Sequence, residues 1–236
     1  MPTVKQNNVL AKVILDAVFP PRCLSCNKFG AWVCGECWQK IELIKTPICY
    51  RCYRLSSEFK LCPSCHRQQA LHRVIVCAHW QASLKKIVYG FKYRRARVVT
   101  NLLGGLLSAA IQSIPLAHNN VVVVSVPLHR YRYWQRGFNQ AENLARVVAE
   151  QNHWPILTTL VRHKPTLPQF GLNKMTRKDN LADAFSLKPG SQALLAGKTV
   201  IIVDDIITTG VTLNECAKTL RQGGAKEVWG LVLARA

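Results

Sequence analysis

Acidic side chains are scarce in this chain: 12 Asp and Glu stand against 32 Lys and Arg in 236 residues, a formal net charge of +20. Such an excess of one sign says little about fold, but it points to a polyanionic partner: nucleic acid, acidic lipid or a phosphorylated small molecule. A basic surface without a specific role is the alternative. Long apolar runs are also missing. No stretch of 18 apolar residues occurs, so no transmembrane helix is expected. The stretch Val9–Phe19 is largely apolar but short, and Lys12 and Asp16 interrupt it. Pro20-Pro21-Arg22 makes a poor cleavage site, so a secretory signal is not expected either. A chain without export or membrane signals is expected in the cytoplasm, where thiols stay reduced. Ten cysteines in that setting suggest metal rather than disulfides.

Eight of the ten fall in four Cys-x-x-Cys pairs: Cys23/Cys26, Cys34/Cys37, Cys49/Cys52 and Cys62/Cys65. One such pair presents two thiolates to one metal, and two pairs make the closed tetrahedral site typical of structural zinc. Two zinc ions are therefore expected. Neighbouring pairs are the simplest partners, and a crossed arrangement is the alternative. A redox Cys-x-x-Cys normally occurs once beside a strand–helix unit, not four times in a Pro- and charge-rich stretch. So short a segment buries little core, and each zinc must supply folding free energy on the order of 10 kcal/mol. Cys77 and Cys216 sit in apolar patterns and read as ordinary buried cysteines.

The remaining chain leads to Val200–Thr212. Val200 to Val203 suit a strand buried on both faces. Asp204 and Asp205 follow, then Thr208, Thr209, Gly210 and Thr212, and then a helical pattern with Leu213, Cys216, Ala217 and Leu220 on one face. The turn offers amide donors and the positive end of a helix dipole to an anion. Gly210 lets the backbone come close to it. Carboxylates beside a phosphate cradle repel the phosphate unless they hold something else, and a sugar diol is the simplest candidate. A ribose 5-phosphate fits both halves of the stretch. A strand-end acidic pair before an ordinary turn is the plain alternative.

This stretch resembles the phosphoribosyl pyrophosphate (PRPP) signature of type I phosphoribosyltransferases: apolar strand, two acids, two apolar residues, Thr-Thr-Gly-x-Thr. With the Cys-rich segment ahead of it, the whole chain resembles the ComF family of competence proteins and their GntX-like relatives. The resemblance implies an α/β fold, a mostly parallel sheet with helices on both faces, preceded by a double zinc ribbon. Residues 1–70 would form the lead-in and ribbons, and residues 71–236 the transferase-like domain. It further implies PRPP with Mg²⁺ at Asp204, Asp205, Thr208, Thr209, Gly210 and Thr212. Pyrophosphate would lie near Pro127, His129 and Arg136, and Arg177 would join the two acids as a catalytic residue from the cationic loop Arg162–Asp183. By the same resemblance, the role is in natural transformation: handling incoming single-stranded DNA with the uptake machinery at the inner face of the membrane. The alternatives are an active phosphoribosyltransferase of unknown acceptor and a non-catalytic PRPP or nucleotide sensor. Purine-salvage relatives carry an acid where this chain has Thr208, which argues against that chemistry.

Independent of the resemblance, strands alternating with helices imply a mostly parallel sheet. Strands are expected at Val74–Trp80, Val121–Val126, Ile156–Val161, Ala184–Leu187 and Val228–Leu233. Helices are expected over Leu84–Tyr89, ending at Gly90, and over Val98–Ser113 and Ala141–Gln151. Arg136-Gly137-Phe138-Asn139-Gln140 converges polar groups on one helix entrance, with a capped helix start and a glycine turn as the plain alternative. In Phe91–Arg97, aromatic residues interleaved with cations suit nucleic acid, with a solvated basic helix face as the equal alternative. The lead-in, with Val9, Val13, Ile14 and Ala17 on one face, could pack on the body or touch a partner.

Overall fold

A computed structural model describes residues 20–67, 69–93, 97–116, 120–163 and 184–236. The lead-in before residue 20, Arg94–Ala96 and most of the cationic loop, with Arg177, lie outside them. Short helices α1 (Gly35–Gln39) and α2 (Pro63–His66) belong to the ribbon segment. Then follow β1 (Arg73–His79), α3 (Ala82–Tyr93), α4 (Arg97–Gln112), β2 (Val121–Ser125) and α5 (Arg130–Arg136). The chain continues through α6 (Gln140–Asn152), β3 (Ile156–Leu157), β4 (Leu160–Arg162) and β5 (Phe185–Leu187). It ends with α7 (Ser191–Leu195), β6 (Thr199–Ile207), α8 (Val211–Gln222) and β7 (Glu227–Arg235).

Five strands form one sheet in the order β1-β7-β6-β2-β3, and every pairing is parallel. The β-branched runs of β2 and β6 are buried on both faces, as a covered parallel sheet requires. Successive side chains go to opposite cores. Ile75, Val123, Ile201, Val203 and Leu231 pack under α3, α4 and α6. Val74, Val76, Val122, Val124, Ile202 and Val232 pack under α8 and the second ribbon, whose Cys49, Tyr50 and Leu61 are part of that cluster. The ribbon thus shares that face of the sheet with α8 and the short helix α7. On the other face α4 and α6 approach closely at Gly104, where an added Cβ would lie 2.5 Å from Val147 Cβ.

Two expectations change. The run Ile156–Val161 splits: β3 joins the main sheet, and β4 turns away to pair antiparallel with β5. Helix α3 runs through Gly90 to Tyr93, because Leu84, Ile87, Val88 and Phe91 form a stripe that is buried throughout. Phe91 is fully buried and packs 6.3 Å from the Phe138 ring. It is therefore closed to a nucleic-acid base.

Candidate functional site

Strands β2 and β6 lie side by side, but their connections run to opposite sides of the sheet, through α6 to β3 and through α8 to β7. A crevice opens beyond the carboxyl ends of strands at such a switch point, and ligands gather there. Here it is a cavity of about 200 Å³, lined among others by Pro127, Arg132, Arg136, Gln140, Arg162, Asp204, Asp205, Thr208 and Thr212.

Strand β6 continues past the apolar run and carries both acids within it. Each carboxylate accepts from the next backbone N–H: Asp205 N donates to Asp204 Oδ1, and Ile206 N to Asp205 Oδ1, both at 2.8 Å. These bonds leave the other oxygens for partners. Asp205 uses Oδ2 to bind Lys92 Nζ at 2.7 Å, with both side chains nearly buried. Asp204 is half-buried as a residue and lines the cavity, yet its carboxyl sits deep enough for burial to dominate. Burial, and then the charge of Asp205, pushes Asp204 up to about 7, against the Asp205 N–H, Lys92 and Arg162. The acids are thus the negative floor of a cleft whose walls are cationic.

The phosphate turn follows. Gly210 is the N-cap of α8 with φ +79°, in the left-handed region that favours glycine. The first N–H groups of a helix have no acceptor within it, and Thr208 and Thr212 border the cavity beside them. Thr209 and Gly210 do not line the cavity. Gly210 instead packs against the ribbon: a Cβ there would lie 2.6 Å from Tyr50 Oη. Arg235 donates to the carbonyls of Tyr50 and Arg51, and Asn214 Oδ1 accepts from Ala70 N at 2.8 Å.

Opposite, the loop after β2 brings Pro127 to the cavity, and Arg136 reaches it from the end of α5. His129 does not line it. Its Nδ1 accepts from Tyr131 N at 3.3 Å and caps α5. Asn139 caps α6 through Ala141 N and donates to Val126 O at 3.0 Å, tying the helix entrance to the end of β2. Gln140 is buried; its Oε1 accepts from Arg136 Nη1 at 3.1 Å, while its Nε2 has no acceptor among the described residues. A buried amide donor left open on a cavity wall is what a ligand oxygen would satisfy. Lys92 was not singled out for this cleft by the sequence pattern. Arg132 follows a strand in an anion-friendly segment and Arg162 opens the cationic loop, and both line the cavity as that pattern suggests; Lys92 gives no such signal, because it meets the acids only through the fold.

The eight ribbon cysteines form two groups, Cys23/Cys26/Cys34/Cys37 and Cys49/Cys52/Cys62/Cys65, with all Sγ atoms of a group within 4.8 Å of one another. Neighbouring pairs are therefore partners, and the crossed arrangement is excluded. Four converging thiols fit tetrahedral structural zinc. The local backbone favours a thiolate at Cys23 and at Cys62. At Cys37 a Ser25 hydrogen bond is outweighed by burial and the other thiols of the group, which push it up to about 12, and burial with the other thiols pushes Cys65 up to about 12 as well. Burial pushes Cys23 up, but N–H groups of Cys34, Cys26 and Ser25 outweigh it and hold that thiol at about 6. The Cys65 N–H does the same for Cys62, also at about 6. Cys77 and Cys216 are buried in the core, and burial raises both.

Residues 14–66 match the double zinc ribbon domain, and residues 101–236 match the phosphoribosyl transferase domain. The chain is 32% identical over 227 residues to competence protein F of Haemophilus influenzae, spanning 90% of this chain and 97% of that protein. It is 30% identical over 227 residues to the DNA utilization protein YhgH of Salmonella typhi, spanning 84% and 96%. It is 26% identical over 223 residues to competence protein ComFC of Bacillus subtilis, spanning 84% and 89%.

Proposed function

Because this chain belongs to the competence protein F family, with a double zinc ribbon ahead of a phosphoribosyl transferase domain, we propose that it acts in DNA uptake. In this reading it handles single-stranded DNA and keeps a working site for PRPP or a ribose phosphate. One observation carries the ligand half: two carboxylates, a helix-start turn and the side chains of Arg132, Arg136 and Arg162 all border one cavity at the sheet's switch point. The diol lies against Asp204 and Asp205, the 5-phosphate at Thr208–Thr212, and the pyrophosphate toward Pro127 and Arg136. The Lys92 ion pair keeps the buried Asp205 carboxylate satisfied before ligand arrives, and each of its oxygens keeps a lone pair that can take a sugar hydroxyl. Mg²⁺ bound with PRPP would offset the charge of its pyrophosphate. The DNA half is supported by the names of the relatives and by the net charge of +20.

The test is genetic. In a naturally transformable host lacking its own relative, this chain should restore transformation, and Asp205→Asn should lower the restored frequency by tenfold or more. Equal accumulation and melting of the two proteins must be verified alongside. Failure of the wild-type chain to restore transformation overturns the uptake role. Full activity of Asp205→Asn separates DNA uptake from the ligand site.

A further inference from the structure

Helix α5 reads Arg130-Tyr131-Arg132-Tyr133-Trp134-Gln135-Arg136, and it has two unlike faces. Arg132 and Arg136, four residues apart, turn to the cleft. Arg130, Tyr133, Trp134 and Gly137 have the spacing of the opposite stripe and line a shallow depression on the outside with Leu128 and Tyr131. Exposure there is high: Tyr131 59%, Tyr133 51% and Trp134 82%. The helix is capped at both ends. His129 caps one end, and Gly137, at φ +74°, closes the other with its N–H on Tyr133 O at 2.7 Å. Gln135 Nε2 also donates to Tyr131 Oη at 3.0 Å, fixing that ring. The helix itself buries no residue. Its order therefore displays aromatic rings to solvent.

We propose that this outer face docks single-stranded nucleic acid, bases stacking on Trp134 and Tyr133 and backbone phosphate meeting Arg130. This rests on the reading that the chain handles single-stranded DNA, and it assigns that partner a surface. Exposed rings beside Arg130 match a strand whose bases and phosphates alternate, and base–ring stacking tolerates any sequence. A bilayer is the weaker fit, since α5 contains no aliphatic residue to enter the acyl region. The two faces also put the strand beside the mouth of the ribose-phosphate cleft, because Leu128 borders both depressions.

Anisotropy of a fluorescein-labelled oligothymidylate with the full zinc-loaded chain tests this. Wild type should bind, and tryptophan emission should be quenched. Trp134→Ala and Tyr133→Ala should each weaken binding about tenfold, and Trp134→Ala should remove most of the quench. Arg130→Ala should lower the slope of log affinity against log salt by about 0.7, one phosphate's worth for a single strand. All three variants should bind PRPP with Mg²⁺ as wild type does, which also verifies folding. If wild type binds and the Tyr133→Ala/Trp134→Ala double variant binds equally, this surface is overturned while the DNA reading stands. If wild type binds no oligonucleotide, both fall. Attachment of this face to anionic lipid vesicles, with no oligonucleotide binding, overturns it as well.

Discussion

At the residue scale, the cleft is a balance of charges close to one another. Asp204 is moved from an ordinary value near 4 to about 7, first by burial and then by Asp205. A carboxyl raised in the fold holds its proton more tightly when folded than when unfolded. On its account stability is greatest below about pH 4 and falls as pH rises to about 7. Asp204→Asn removes that cost. The variant should be more stable than wild type at pH 8 by about 1–3 kcal/mol, and the gain should vanish near pH 4. Thermal melts at a series of pH values check this; a gain that is equal at pH 4 and pH 8 would refute the assignment. Gly210 shows a different constraint. The signature suggests a glycine kept small for phosphate, yet its φ of +79° and the Tyr50 ring 2.6–3.0 Å from an added Cβ already demand glycine. A Gly210→Val loss would therefore mix ribbon displacement with phosphate exclusion, and Asp205→Asn is the cleaner probe.

At the scale of elements, the two ribbons do different work. The first meets α3, where Leu24 packs at Gly90 and Lys86 Nζ donates to Ser25 O at 3.2 Å. The second is built into the core below α8 and presses Tyr50 on the start of that helix. Zinc loss at the second site should therefore reach the phosphate turn. Cys62→Ser should release one of two zinc ions, lower the melting temperature and weaken PRPP binding several-fold. Cys34→Ser should also release one ion but leave PRPP binding within about twofold, because among the described residues its ribbon packs on α3 rather than on the turn. Metal analysis with ligand titration of both variants decides it; equal loss of PRPP binding in the two would contradict the division of labour. Helix α5 shows why some elements escape sequence reading. It has no apolar periodicity, since its seven residues are cations, aromatics and one Gln, and it exists by virtue of its two caps. The β4–β5 pair escaped for another reason: a short apolar run does not reveal which sheet it joins.

For the whole molecule, what was legible is what is local in the chain. The signature Asp204–Thr212 holds acids, turn and helix start within one strand–helix unit. The zinc groups are set by Cys-x-x-Cys spacing, and only their pairing needed the fold. Parallel strands announced themselves through Val200–Val203 and Val121–Val124. Lys92 was illegible as a partner of the acids, because the fold brings its separate segment to the cleft. Phe91 shows the reverse. Its stripe with Leu84, Ile87 and Val88 was in view, but cations beside it drew attention to its ring instead. The central claim is that all these parts make one ribose-phosphate site, and calorimetric titration of PRPP with Mg²⁺ into the zinc-loaded chain tests it most directly. The account predicts one saturable site in the wild type and binding at least tenfold weaker in Asp205→Asn, from charge-assisted bonds of about 1–3 kcal/mol. No heat with PRPP or with ribose 5-phosphate, or equal binding by wild type and variant, would contradict it.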